Sequence, residues 1–380
     1  ADVAAYSFYD LIGADELAGS VGMVTGTAVV LMVVMTGVCI WGTEISANLQ
    51  KVLMAMQLGP LLLFIAVALY KVFSGDAPGG SVNPSLDWFN PLAIDSGGAL
   101  TGALLLGVFI YWGWESAVNL NEETEGEASK PGLAGVISTT ILLVTYLGVA
   151  TALVAWGGVD GAKAFDDNAT ILSTYADQVL GGTLGPLVLL AVVVSALAST
   201  QTTILPASRT SMSMARAEAM PKAFGEISSR FFTPIVSTTV IGGLAIIWYL
   251  PAKLISEDFL FDSLSALSLM IAFYYALTGF GCAFYFRHEL TKSVKNLLFV
   301  GIAPVIGGLM LSYLFVKSLV EWTDPANSSS GDSWFGFAPP AIIGVGFLLL
   351  GLILLIAWRH YKREPFFKRR RETADPHLLD

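Results

Sequence analysis

Residues 104–117 read Leu104-Leu105-Leu106-Gly107-Val108-Phe109-Ile110-Tyr111-Trp112-Gly113-Trp114-Glu115-Ser116-Ala117. A run apolar enough for a membrane helix is interrupted there by aromatics, a glycine and an ionisable acid. A charged side chain at the bilayer centre costs about 2.5–3.5 kcal/mol even on the mild insertion scale. Glycine weakens a helix by about 1 kcal/mol relative to alanine. Together they predict a helix that breaks or loosens mid-membrane, where freed carbonyls and amides meet a polar ligand. A blander reading competes with it. Glu115 precedes Asn121-Glu122-Glu123 by six residues, close enough for it to snorkel to the inner interface with Tyr111, Trp112 and Trp114 in an aromatic belt. Residue types alone weigh the two readings evenly.

The rest of the chain supplies the membrane. Of 380 residues 54% are hydrophobic and only 13% are charged, with a mean hydropathy of +0.68. That charged share is about half the ordinary globular value, too little to cover so much apolar surface in water. Apolar stretches fall near 19–42, 50–73, 99–120, 133–157, 183–207, 234–256, 260–286, 297–321 and 337–358. Each is about the 20 residues that cross a hydrocarbon core at 1.5 Å per residue. The prediction is an all-α polytopic membrane protein, with a transmembrane domain over 1–358 and a basic tail over 359–380.

Several function classes drop out. A net charge of −10 and a pI near 4.8 oppose nucleic-acid binding. Cys39 and Cys282 both lie in apolar runs, which suits neither a disulfide framework nor a thiolate metal site. His288, His360 and His377 fall in predicted loops or the tail, so no embedded metal centre is expected. No H-E-x-x-H, G-x-S-x-G or Walker-type glycine loop occurs. Neither an enzyme nor a cofactor is expected.

Lysine and arginine placement sets the orientation. With the C-terminus inside, the cytoplasmic side holds Lys51, Lys130, Arg209, Arg216, Lys222, Arg230, Arg287, Lys292, Lys295 and the seven bases of the tail. The outer side keeps Lys71, Lys163, Lys253 and Lys317. That is about sixteen against four, and the opposite orientation reverses it. Nine crossings then put the N-terminus outside, where residues 1–18 carry four acids and no base. The expected location is the cell membrane.

The fifth stretch holds Ser199-Thr200-Gln201-Thr202-Thr203, then Pro206 and Ser208-Arg209. Single hydroxyls in membrane helices usually bond back to their own carbonyls. Five consecutive hydroxyl or amide residues exceed what that explains, and a polar face lining a cavity is expected. On the seventh stretch, Ser263, Ser265, Ser268 and Thr278 are spaced like small packing residues. Tyr274 and Tyr275 either line a cavity or pack.

These residues resemble the amino acid–polyamine–organocation permeases. Phe109 to Ala117, with Asn119-Leu120-Asn121-Glu122-Glu123-Thr124 after it, is similar to that family's sixth helix, where glycine, one residue and glutamate mark an unwound segment. Leu205-Pro206-Ala207-Ser208-Arg209 through Met214-Ala215-Arg216, Met220-Pro221, Phe224 and Thr233-Pro234 resemble the end of its eighth helix and the loop after it. Ala47 to Leu53 is similar to the start of its fifth. The set covers nearly the whole chain. It implies a LeuT-type fold of two inverted five-helix repeats around a midplane site. The nine stretches correspond to helices four to twelve, so the first three helices, with their half of the site, are expected to be absent.

The resemblance further implies a secondary transporter of amino acids or related amines working by alternating access. The alternative is a membrane-embedded sensor that binds the same ligand without moving it. Backbone carbonyls around Phe109, Ile110 and Trp112, next to Gly113, would receive the substrate ammonium. Phe109, or Tyr111 if the register slips, would be the aromatic gate. Thr203 and Thr200 would face the site, and Glu115 would couple protonation to gating. Some proton-coupled relatives carry a fifth-helix lysine where Gln57 stands here. Glutamine does not titrate, so coupling by proton, by sodium near Thr200 or by exchange stays open.

The charge bias makes a direct prediction. A cysteine replacing Ser329 should react with an impermeant thiol reagent in intact cells, and one replacing Ser228 should not. The reverse pattern would overturn the orientation.

Overall fold

The computed structural model describes residues 1–90, 93, 97–119, 130–163, 168–255 and 257–362. The described residues are almost wholly helical, with one isolated bridge pairing Trp334 and Phe337. The helices are α1 (Asp2–Leu11), α2 (Asp15–Ala18), α3 (Val21–Trp41), α4 (Thr43–Ser74), α5 (Gly97–Ile110), α6 (Ser116–Asn119) and α7 (Lys130–Lys163). There follow α8 (Asn168–Leu180), α9 (Gly185–Arg216), α10 (Ile235–Ile255), α11 (Glu257–Tyr285), α12 (Val294–Asn296), α13 (Ala303–Glu321) and α14 (Pro339–Lys362). Among the described residues eight helical segments are long and apolar enough to cross a membrane. The remaining expected stretch is the shorter α5, followed by turns at 111–115 and the single turn of α6.

Two boundaries lie well beyond the hydropathy reading. Helix α4 begins at Thr43 rather than near 50, and α9 runs on to Arg216 rather than ending near 207. Hydropathy ends a span where polar residues such as Gln50 and Lys51 appear. Backbone hydrogen bonding does not, so both helices continue into polar sequence. The Glu122-Glu123-Thr124 run and tail residues 363–380 lie outside the described residues.

The chain divides into two compact units, Ala1–Asn90 with Gly113–Trp248, and Pro91–Trp112 with Tyr249–Asp380. The first has its main core where α4, α7, α8 and α9 meet, around Phe64, Ala68, Trp156, Tyr175, Val179 and Val188. Lys71 caps it at the predicted outer end, donating to the Val179 carbonyl at 2.7 Å. The opposite end is tied by hydroxyls. The last carbonyls of a helix have no partner within it, and on α3 two of them are satisfied from other elements. Val38 O accepts from Ser46 Oγ at 3.2 Å, and Ile40 O from Thr233 Oγ1 at 2.7 Å. The buried Arg209 donates to Thr43 Oγ1 at 2.8 Å and Ser208 Oγ at 3.0 Å.

The second unit packs α5, α11, α13 and α14 around Leu105, Leu269, Trp322, Ala338 and Ala341. Lipid gives helices no hydrophobic reason to associate, so small residues that admit close approach set the contacts. A Cβ on Gly279 would lie 2.6 Å from Pro304 O, and one on Gly344 2.9 Å from Leu269 Cδ2. Just before α13 the backbone widens into a π-helical stretch at Leu297–Ile302, next to Pro304, which has no N–H to donate. The buried carboxylate of Asp262 pins the loop before α14, accepting from Ser329 N at 3.0 Å and Ser330 Oγ at 2.5 Å. Trp334 stacks on Phe259 with centroids 5.4 Å apart.

Two outcomes follow for the first unit. A methyl group on Gly157 would stand 2.6 Å from Cζ of the buried Tyr175 and closer still to its hydroxyl. Gly157→Ala should cost about 1–3 kcal/mol by overpacking, read as a lower melting temperature in detergent. The second concerns Asp10 of α1, whose carboxyl is held above its usual range by desolvation first, then by the charges of Asp15 and Asp177. A raised carboxyl binds its proton more tightly folded than unfolded, so stability falls as pH rises through that window. Asp10→Asn should therefore raise the melting temperature at pH 7, and the gain should vanish below about pH 4.

Candidate functional site

Tyr111 N still reaches Gly107 O at 3.1 Å, but Trp112 N turns back to Phe109 O at 3.0 Å, closing a tighter ring. Gly113 then takes φ +103, a backbone region that L side chains rarely adopt. Its amide is met by Glu115, whose Oε2 accepts from Gly113 N at 3.2 Å. Ser116 N donates to Gly113 O at 3.0 Å and α6 begins. The half-buried Glu115 is therefore an acceptor that closes the turn. This is the arrangement an N-terminal acid supplies at a helix start.

The boundary between the two compact units falls at this turn, between Trp112 and Gly113. Phe109, Ile110, Tyr111 and Trp112 are half-buried members of the second unit. There the indole Nε1 of Trp112 donates to Tyr274 Oη of α11 at 2.7 Å. Gly113, Glu115, Thr200 and Thr203 belong to the first unit. Trp114 packs on α7, with its Cε3 3.4 Å from where a Cβ of Gly135 would stand.

The polar run on α9 splits by helical phase. Successive residues turn by about 100°, so five in a row share no single face. Thr200 Oγ1 donates to Ala196 O at 2.8 Å, Thr202 Oγ1 to Ala198 O at 2.9 Å and Thr203 Oγ1 to Ser199 O at 2.8 Å. These are the backbone-directed bonds of ordinary membrane-helix hydroxyls, which leave oxygen lone pairs as acceptors. Thr203 is exposed and Thr200 half-buried. Gln201 points the other way, fully buried, with Nε2 donating to Ser46 O of α4 at 2.9 Å. Its Oε1, like those of Gln50 and Gln57 on α4, is buried without a hydrogen-bond partner. Among the described residues no group of three or more His, Cys, Asp or Glu side chains is placed to hold a metal ion.

Sequence reasoning missed two features. Arg209 reads as one cytoplasmic base among several, yet it is nearly completely buried. The usable signal was its place directly after Pro206 and Ser208 in a continuing helix. The Trp112–Tyr274 bond joins residues 162 apart, and no local pattern announces it.

Comparison with known proteins bears on what this broken helix belongs to. The sequence pattern described as amino acid permease matches residues 3–348. The arginine/ornithine antiporter ArcD2 of Lactococcus lactis subsp. cremoris (strain MG1363) is 24% identical over 373 residues, covering 87% of this chain and 71% of that protein. The mitochondrial cationic amino acid transporter 3 of Arabidopsis thaliana is 25% identical over 220 residues, covering 58% of this chain and 34% of that one. With a match over nearly its whole length, described residues that are almost wholly helical with eight segments able to cross a membrane, and a helix broken at glycine before a glutamate, the chain belongs to the amino acid permease family.

Proposed function

We propose that this permease is a secondary active transporter of cationic amino acids that works by alternating access, most simply by exchange. The observation that carries the reading is the turn at Tyr111 to Glu115, where a membrane helix gives up its regular hydrogen bonding at a left-handed glycine. Carbonyls around Phe109, Ile110 and Trp112 receive the substrate ammonium, with Phe109 as aromatic gate; Thr200 and Thr203, the candidates on α9, keep oxygen lone pairs as acceptors. The cationic class is supported by the names of the two relatives. It is supported again by the predicted outer side, which carries more than half of the thirty acids and four bases. Such a field draws positively charged solutes toward the membrane surface. The same charge bias supports a cell-membrane location with the C-terminus cytoplasmic.

Glu115 holds the turn through the Gly113 amide, which supports it as the residue that couples protonation to the state of the break. The full-length protein in liposomes loaded with L-ornithine should take up labelled L-arginine saturably, and not without internal substrate. Binding of arginine without counterflow would favour a sensor and overturn the transport reading. Glu115→Gln should leave arginine binding within about 1.4 kcal/mol, a tenfold change. Counterflow should be severely reduced and its pH dependence flattened. Parallel pH profiles with similar rates would return Glu115 to the interface.

A further inference from the structure

Trp112 is the last residue of the second unit before the chain passes through Gly113. Its amide is engaged by Phe109 O at 3.0 Å, and the residue after it has left helical geometry at φ +103. These local bonds, with Gly113 N on Glu115 Oε2 at 3.2 Å, shape the turn. The Trp112 side chain adds a tie to α11. Indole nitrogen is a donor only, and it meets the phenol oxygen of Tyr274 at 2.7 Å, the short end of the N–H···O range. Tyr274 is in turn braced, its ring set edge-on to Tyr275 with centroids 4.6 Å apart. The helix that carries it, α11, is anchored by the fully buried Leu269, Ile271 and Ala272. Tyr274 itself is 37% exposed, so its hydroxyl is not part of the core.

We propose that Tyr274 is a positioning residue for the substrate subsite: by accepting the indole N–H of Trp112 it fixes the orientation of segment 109–112, and with it the carbonyls that receive the ammonium. This rests on the reading above that those carbonyls bind substrate. The aromatic pair on α11 then has a division of labour. Tyr275 holds the ring of Tyr274, and the Tyr274 hydroxyl holds the broken helix. A strut of this kind acts on how well substrate is bound and leaves the conformational cycle alone.

Two measurements on the full-length protein test it. In arginine counterflow, Tyr274→Phe should raise KM about tenfold with the maximal rate within about twofold, the signature of lost uniform binding. Trp112→Phe should do the same, and the double variant should be no worse than either single one, because both remove one bond. Amide hydrogen exchange, read without substrate, should speed up over residues 107–116 in Tyr274→Phe and stay unchanged over 135–155 of α7. An unchanged KM, additive effects or unchanged exchange over 107–116 would each overturn the positioning role. A wild-type protein without arginine counterflow overturns the transport reading instead, and the exchange measurement still decides whether Tyr274 holds the segment.

Discussion

Inside a bilayer no water completes a backbone's hydrogen bonds, so a chain that leaves the helix must find partners among its own atoms. The turn at 111–115 meets that demand with three short-range bonds: Trp112 N to Phe109 O, Gly113 N to Glu115 Oε2 and Ser116 N to Gly113 O. One of the three acceptors is a carboxylate. Glycine sets the bend, and the acid two residues on makes the bend tolerable.

The same demand explains which parts were legible in the sequence. Spans show because an apolar run of membrane length has few other uses, and the break shows because glycine and glutamate are both costly there. Helix ends were misplaced at α4 and α9 because hydropathy reports the solvent, whereas helix ends are set by hydrogen bonds. The five-residue polar run on α9 was read as one face. The structure instead turns Gln201 into the seam with α4 and leaves Thr203 exposed. Composition does not encode that phase. Nor does it encode partners far along the chain, and Tyr274 stayed ambiguous between lining and packing until Trp112 was found on its hydroxyl.

Arg209 shows how a charge survives in such surroundings. A buried guanidinium is tolerated when its donors are occupied, and here Thr43 and Ser208 hydroxyls take two of them. Ser208 O in turn accepts from Ser237 Oγ at 2.8 Å, which draws α10 into the same junction. Helices α3, α4, α9 and the start of α10 thus meet through oxygen atoms.

The hydroxyl ties at the end of α3 have a bearing on how the protein is made. Ile40 O waits for Thr233, a residue 193 positions later in the chain. Val38 O finds Ser46 after eight, and Gln201 meets Ser46 across 155. When α3 and α4 first enter the bilayer during synthesis, one of these acceptors is satisfied and the other is not. Ile40 O can meet its native partner only once the segment leading into α10 has been synthesised. The hydroxyl ties that complete this end of the first unit thus join segments made early to segments made late.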